Sequence, residues 1–187
     1  MPIMAEGTLN VSLGYRSMYQ STSGANNVSI GSYSLYSNTY GSGNTSIGST
    51  ALNINTSGGS NTAIGQSALY RNTTGSGNVA IGGGAGAYTA NDSSNSTSEL
   101  CLYIGNNTKS SANGVNREVV IGPEAIGNGS NTVTIGGSSS TTTYMTPVIV
   151  LRSSTSAPTG IEGGMYYNSS TKHFYGYDGT NWKQLDN

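Results

Sequence analysis

The chain has 187 residues, of which seven are Lys or Arg, eight are Asp or Glu and one is His, giving a formal net charge of −1. So little positive charge cannot displace counterions from a nucleic acid, and no run of like charge is present to act as a membrane-surface arm; a nucleic-acid partner is not expected. Gly, Ser, Thr and Asn make up 101 of the 187 residues and Leu, Ile, Val and Phe only 31, a balance that disfavours long helices and excludes an ordinary globular core. The single Cys101 allows neither an internal disulfide nor a thiolate metal site.

Residues 1–9 precede any periodic pattern and read as a short N-terminal attachment segment. The opening stretch MPIMAEGTLNVSLG has neither the basic start nor the apolar run of a secretory signal, and nowhere do 18 apolar residues follow one another. The expectation is a protein made in a cytoplasm without a signal peptide and not inserted in a membrane.

From Asn10 the chain repeats itself. Leu13-Gly14, Ile30-Gly31, Ile47-Gly48, Ile64-Gly65 and Ile81-Gly82 recur at a constant interval of 17, in units that begin at Asn10, Asn27, Asn44, Asn61 and Asn78. Further Ile-Gly pairs at Ile104, Ile121 and Ile135 follow at intervals of 23, 17 and 14. Within a unit, Val or Thr at the second position and Ile or Leu at the fourth alternate with Ser or Ala between them, which is the period of a strand. A second short segment, as in Ala51-Leu52 and Ala68-Leu69, predicts a second strand, with Gly and Asn at the turns supplying the residues that tolerate positive φ. Residues 10–137 therefore read as an all-β parallel solenoid of 14–17-residue repeats, interrupted by an exposed insertion loop at about 87–99.

One rung carries too few aliphatic side chains to offset the ordering of 17 residues. If three copies turn their aliphatic columns to a common axis, each rung shares a core among three chains. A homotrimer is expected, with Leu13, Ile30, Ile47, Ile64, Ile81, Ile104, Ile121 and Ile135 as its core residues.

Residues 138–156 hold a low-complexity linker and a plausible strand, TPVIVLR, and residues 157–187 change character: they contain His173, Phe174, Trp182 and four of the 13 Tyr. GMYYN, KHFYGY and TNWKQL predict three antiparallel strands, with Asp178-Gly179 as a tight hairpin turn. About 30 residues rarely fold alone, so this module is expected to cap a trimer.

The string NTAIGQSAL followed by NTTGSGNVAIG resembles the head repeats of trimeric autotransporter adhesins and the related repeats of bacteriophage tail-fibre proteins. The 14-residue stretch before Ile135 is closest to the adhesin version, and the 17-residue units look more like the phage version. The resemblance covers roughly residues 10–137 and implies a left-handed parallel β-roll that assembles as an intertwined homotrimer, with the Ile of each motif in its core. The C-terminal stretch is similar to the Tyr- and Trp-rich hairpin modules that end phage tail fibres, and faintly to the fibritin trimerisation hairpin, through Pro158, Gly164, Tyr166, Asp178-Gly179, Trp182 and Leu185. The autotransporters' secretion signal, coiled-coil stalk and membrane barrel have no counterpart in the sequence, which favours the phage version.

Tyr19, Tyr36 and Tyr70 share the tenth position of their units, with Asn53 interrupting, and form a partial aromatic column that could stack on sugar rings or cover an edge between chains. Trp182 with Tyr175, Tyr177 and Asp178 is the most plausible saccharide platform, although a trimer cap would bury the same residues. Thr22, Thr39, Thr56 and Thr73 form an uninterrupted column that superficially suggests ice binding; turn capping is the simpler role, and the unit-leading Asn residues predict a turn ladder for the same reason. Asp92, Asp178 and Asp186 are the only Asp, too few for a calcium roll. No glycosidase carboxylate pair can be named, His173 has no Ser or Cys partner, and GGGAG at residues 82–86 lacks the Lys and helix of a phosphate loop. Neither a cofactor nor a metal is expected, and the protein is not expected to be an enzyme.

The expected function is that of a structural virion fibre, a phage tail fibre or tip that attaches the particle to a glycan or protein on the host surface. Its partners would be itself, other virion proteins through an end segment, and the host receptor. The alternatives are a capsid-decorating head fibre, which the short segment before the first repeat would suit, a surface-polysaccharide depolymerase, or a fragment of a bacterial adhesin.

Overall fold

The computed structural model describes residues 8–137, 153–154 and 165–186. The chain divides between residues 143 and 144 into two units. In the first, eight strands run in chain order through one parallel sheet: β1 (Val11–Leu13), β2 (Val28–Ile30), β3 (Thr45–Ile47), β4 (Thr62–Ile64), β5 (Val79–Ile81), β6 (Leu102–Ile104), β7 (Val119–Ile121) and β8 (Val133–Ile135). Every strand pairs with its successor at the same motif position, Leu13 with Ile30, Ile64 with Ile81, Ile121 with Ile135. The result is a solenoid of about seven turns, and no helix occurs among the described residues.

Alternation within each strand decides what is inside. The middle residue, Ser29, Ser46, Ala63, Ala80, Tyr103 or Val120, is buried in the lumen of the coil, whereas its neighbours on either side point outward. Opposite the sheet, Met18, Leu35, Leu52 and Leu69 close the lumen and are fully or almost fully buried. These residues do not lie on the second strand that the alternation predicts. Their φ angles are 52°, 48°, 47° and 49°, and the segment is a turn. The left-handed backbone turns each aliphatic side chain into the lumen, and burial offsets a conformational cost of about 1–2 kcal/mol per residue. The turns still bond rung to rung: the Leu35 amide donates to the Ala51 carbonyl at 2.9 Å and the Leu52 amide to Ala68 at 3.0 Å.

The glycine after each Ile is required by both conformation and space. Gly48 has φ of 135°, and a Cβ there would lie 2.5 Å from the Gly65 carbonyl oxygen of the next rung. Two columns of buried asparagines replace most of what a larger core would supply. The Asn44 amide donates to Asn27 Oδ1, Asn61 to Asn44 and Asn78 to Asn61, at 2.9–3.0 Å. A second column at the twelfth position joins side chain to side chain, Asn55 Nδ2 to Asn38 Oδ1 at 2.9 Å and Asn72 Nδ2 to Asn55 Oδ1 at 2.8 Å. Because each rung is chemically like the next, the asparagine side chains meet partners in their own and the neighbouring rung, which satisfies polar groups that a low-dielectric interior would otherwise penalise; Ser21, which holds the twelfth position of the first unit, is buried with its hydroxyl unpartnered.

The insertion is less exposed than its composition predicts. Only residues 90–94 are exposed as a block, whereas Ala87, Thr89, Asn95 and Ser98 are buried. The 23-residue interval exceeds the regular 17 by six, so Asn95 falls where Asn72 sits in the preceding rung, and the chain rejoins the coil there. Asn95 Nδ2 donates to the Gly86 carbonyl at 3.0 Å, and Ser98 Oγ donates to Asn95 Oδ1 at 2.5 Å.

In the second unit, β9 (Ser153–Ser154) pairs parallel with β10 (Met165–Asn168), which pairs antiparallel with β11 (His173–Tyr177), which in turn pairs antiparallel with β12 (Trp182–Gln184). The three antiparallel strands stand where the sequence predicts them. The turn after β11 is longer than a two-residue hairpin: Tyr177 pairs with Trp182, leaving four residues between them, and Asp178 closes the loop by accepting the Thr180 and Asn181 amides at 2.9 and 2.8 Å. The stretch predicted as a strand at residues 146–152 lies outside the described residues.

Candidate functional site

Three surfaces carry the residues that the sequence singles out. The first is the outer face of the eight-stranded sheet. Leu13, Ile30, Ile47, Ile64, Ile81, Ile104, Ile121 and Ile135 form one column there, flanked by a second of Val11, Val28, Thr45, Thr62, Val79, Leu102, Val119 and Val133. None of the Ile or Leu side chains is buried within the single chain; Ile81 is 40% exposed and Leu13 is 65% exposed. The lumen is filled by other residues, so this aliphatic stripe belongs to the surface of the coil and runs its whole length.

The second surface is aromatic. The Tyr19 and Tyr36 rings stack at 5.7 Å with an 8° angle between planes, as the tenth-position column predicts. The seventh and sixth positions add to them. Tyr33 lies 5.5 Å from both Tyr36 and Tyr15, and the Arg16 guanidinium lies 5.3 to 5.9 Å from the rings of Tyr15, Tyr19 and Tyr33. Attraction between a guanidinium and the ring faces holds this patch together. Tyr70 does not join it: Asn53 breaks the column, and Tyr70 instead borders Arg71, whose guanidinium lies 5.1 Å from its ring and 5.7 Å from that of Tyr88. Reading only the tenth position misses Tyr15, Arg16, Tyr33 and Tyr88; aligning the sixth and seventh positions of the units would have found the first three.

The third surface is on the C-terminal sheet. Cross-strand register puts Tyr166, Tyr175, Tyr177 and Trp182 on one face. Tyr166 is buried there, stacked on Tyr175 at 5.3 Å and edge-on to Trp182 at 4.8 Å, while Tyr177 lies 5.2 Å from Trp182. Tyr175, Tyr177 and Trp182 are half-buried. Asp178, the fourth member of the predicted platform, has its carboxylate engaged: besides the two amides of its turn, it meets Lys183 Nζ at 2.6 Å. The Lys183 ammonium, with the amides of Asn181 and Thr180, holds the Asp178 carboxyl far below the usual carboxylate range.

The threonine column is occupied with its own backbone. Thr22 Oγ1 donates to the Thr39 carbonyl at 2.8 Å, Thr56 to Thr73 at 3.0 Å and Thr73 to Ser96 at 3.1 Å, so these hydroxyls link one rung to the next instead of capping their own turn as the sequence predicts. Two buried groups continue the first asparagine column. Cys101 accepts its place in the next rung, its amide donating to Asn78 Oδ1 at 3.0 Å. Glu118 follows, fully buried, and its carboxylate accepts Ser110 Oγ at 2.8 Å and the Gly129 amide at 2.9 Å. Among the described residues no three His, Cys, Asp or Glu side chains are grouped so as to hold a metal ion, and no helix is long and apolar enough to cross a membrane. Comparison with family models, with curated proteins and with solved structures finds no match.

Proposed function

We propose that the chain is the protomer of a homotrimeric virion fibre, a phage tail fibre or tip, that attaches the particle to the host cell surface. The observation that carries this reading is the aliphatic stripe on the sheet's outer face. Eight rungs each offer one Ile or Leu, beside a second column mainly of Val and Thr, to the outside of a coil whose lumen is already filled. A continuous apolar strip of this kind marks an interaction surface. Strict repetition means that an identical copy is complementary to it along its full length, and three copies around an axis close without leaving an open end. In this reading the coil winds left-handed, as the resemblance implies, and the trimer encloses the stripe.

Attachment would rest on three copies of one weak site per fibre and on several fibres per particle, so that individually weak contacts gain by avidity. The protein would be made in the host cytoplasm and act on the particle's exterior, bound to other virion proteins through one end. Two measurements test the reading. Sedimentation equilibrium of the full chain should give three times the 19.1 kDa protomer mass, and Ile64→Asn with Ile81→Asn should dissociate it; a folded monomer in dilute buffer overturns the trimer. Immunogold labelling of particles should place the protein on the tail, and added trimer should compete with particles for host cells. A trimer that neither labels particles nor competes overturns the attachment role.

A further inference from the structure

The rung that begins at Asn78 departs from its neighbours where it turns away from the sheet. Its sixth and seventh positions are Gly83 and Gly84, where the rung before has Gln66 and Ser67 and the rung after has Asn106 and Asn107. Removing two side chains from one rung of a regular stack leaves a notch. The amides of the next rung lean over it: a Cβ on Gly83 would come 2.8 Å from Asn106 Oδ1, and one on Gly84 would come 2.5 Å from Asn107 Oδ1. Bare backbone of this kind is used where another group must approach the main chain closely.

Tyr88 stands beside the notch and borders two clefts there. One, of about 440 Å³, runs past Gly84 and Asn107 to Lys109, Asp92 and Glu124. The other, of about 300 Å³, runs past Gly83 and Asn106 to Gln66 and Tyr70. Gly84, Tyr88 and Asn107 line both. The six-residue insertion builds the outer wall, since Asp92 lies on it and is held by Lys109 Nζ at 2.5 Å. Tyr88 is fixed by its backbone, which bridges to Ser94 and accepts the Ser110 amide at 3.0 Å. Two adjoining recesses share one half-buried aromatic ring, in a chain with only 15 formally charged acidic and basic side chains, three of which converge on one of them.

We propose that these paired clefts are an oligosaccharide-binding site, taking one pyranose ring in each cleft, with Tyr88 bordering both and its ring 5.7 Å from the Arg71 guanidinium. The chemistry is that of a hydroxyl-rich ligand with an apolar C–H face. The tyrosine ring offers a flat apolar surface for that face. Gln66, Asn106 and Asn107 can each donate and accept, as vicinal hydroxyls require, and Asp92, Glu124 and Lys109 supply charged partners for the outer sugar. The recesses are of the size that ligand sites use and are preformed by the backbone. A nucleic acid would meet two carboxylates and a single ammonium here, and an apolar peptide would meet mostly amides. The proposal rests on the attachment reading and assigns its receptor contact to the coil and not to the aromatic face of the C-terminal sheet.

The test uses the full chain, displayed on beads so that weak binding is read as avidity, on an array of defined hexose, deoxyhexose, N-acetylhexosamine and uronic-acid oligosaccharides. The wild type should bind at least one class, and Tyr88→Ala should lower that binding by about tenfold or more. Asn107→Gly, which keeps the left-handed backbone at that position (φ 52°) and removes the amide, should weaken it as well. Trp182→Ala and Tyr36→Ala should bind as the wild type does. Equal melting temperatures confirm that the variants are folded. Binding unchanged in Tyr88→Ala and Asn107→Gly, or lost in Trp182→Ala instead, overturns the site. An empty array from a protein that still competes with particles for cells overturns the ligand class while attachment stands, and failure to compete counts against attachment itself.

Discussion

The Tyr103 ring fills the space that Leu side chains occupy in earlier rungs, because Gly86 stands opposite it. Gly86 holds the ninth position of its unit, where Met18, Leu35, Leu52 and Leu69 close the lumen. A Cβ on Gly86 would lie 2.5 Å from Tyr103 Cδ2 and 3.1 Å from Leu69 Cδ2. The following strand carries Tyr where Ser or Ala stands in β1 to β5, and the ring is fully buried. Gly86→Leu should therefore overpack the lumen and destabilise the chain, and Tyr103→Ala should leave a cavity costing about 3–5 kcal/mol. The double variant should recover part of the loss, since it restores the arrangement of the regular rungs. A urea-unfolding cycle at fixed protein concentration measures the coupling, and additive effects would mean that the two residues are not exchanging volume.

The asparagine columns predict a sharp contrast between two chemically identical substitutions. Asn61 is fully buried; its Oδ1 accepts the Asn78 amide at 2.9 Å and its Nδ2 donates to the Gly75 carbonyl at 2.9 Å. Asn61→Ala leaves a buried N–H without an acceptor and should cost about 2–3 kcal/mol. Asn53 is only half-buried and makes one side-chain bond, to the Tyr33 carbonyl at 2.8 Å, so Asn53→Ala should cost less than about 1 kcal/mol. Thermal melts of the two variants, run at equal concentration, check the difference.

What the sequence made legible follows from what repeats. The constant interval of 17 sets the parallel register of the first five strands without any further information, and a residue that alternates within a strand must face opposite ways, which separates the Ile column from the Ser and Ala column. Left-handed Leu was not legible, because Leu has no intrinsic preference for that conformation and adopts it here only to bury its side chain. The unit-leading asparagines were visible as a ladder, but the second column at the twelfth position was not read, because the bonding of its members to each other depends on the separation of rungs in space. The clefts beside Tyr88 were the least accessible, since they arise where the register is broken, from two glycines and an insertion whose path no period predicts.

Burial of Cys101 leads to a prediction about alkaline pH. The thiol is 2% exposed, and burial, the largest influence, pushes its pKa up. Above the ordinary thiol value of about 8.5 the unfolded chain loses this proton while the folded chain keeps it. The unfolded state then binds fewer protons, so stability contributed by the neutral thiol is present below that pH and is lost as the pH rises through the folded value. Two results should follow. An aromatic disulfide reagent at pH 8 should label the unfolded chain rapidly and the folded chain slowly. Cys101→Ser, which retains an acceptor for the Glu118 amide now bonded to Sγ at 3.4 Å, should flatten the decline in stability between pH 8.5 and 10, leaving the later decline that burial of Tyr103 produces.

At the other end of the pH scale, Asp178 should act as a turn residue and not as a receptor contact. Its carboxylate already serves Lys183 and the amides of Asn181 and Thr180, which lower its pKa. A depressed folded pKa means that its contribution is complete above the ordinary carboxylate value of about 3.9 and is lost as the pH falls through the lower, folded value. Carboxyl carbon shifts followed by NMR should give Asp178 a midpoint below that of Asp in a model peptide. Lys183→Ala should raise it, though not to the peptide value, because both amides remain. Asp178→Asn keeps the amide acceptor and should preserve the Tyr177–Trp182 contact and host adsorption alike. Asp178→Ala removes the acceptor and should loosen the pairing of β11 with β12. Loss of adsorption in Asp178→Asn, with the hairpin intact, would instead assign the carboxylate a direct role at the receptor.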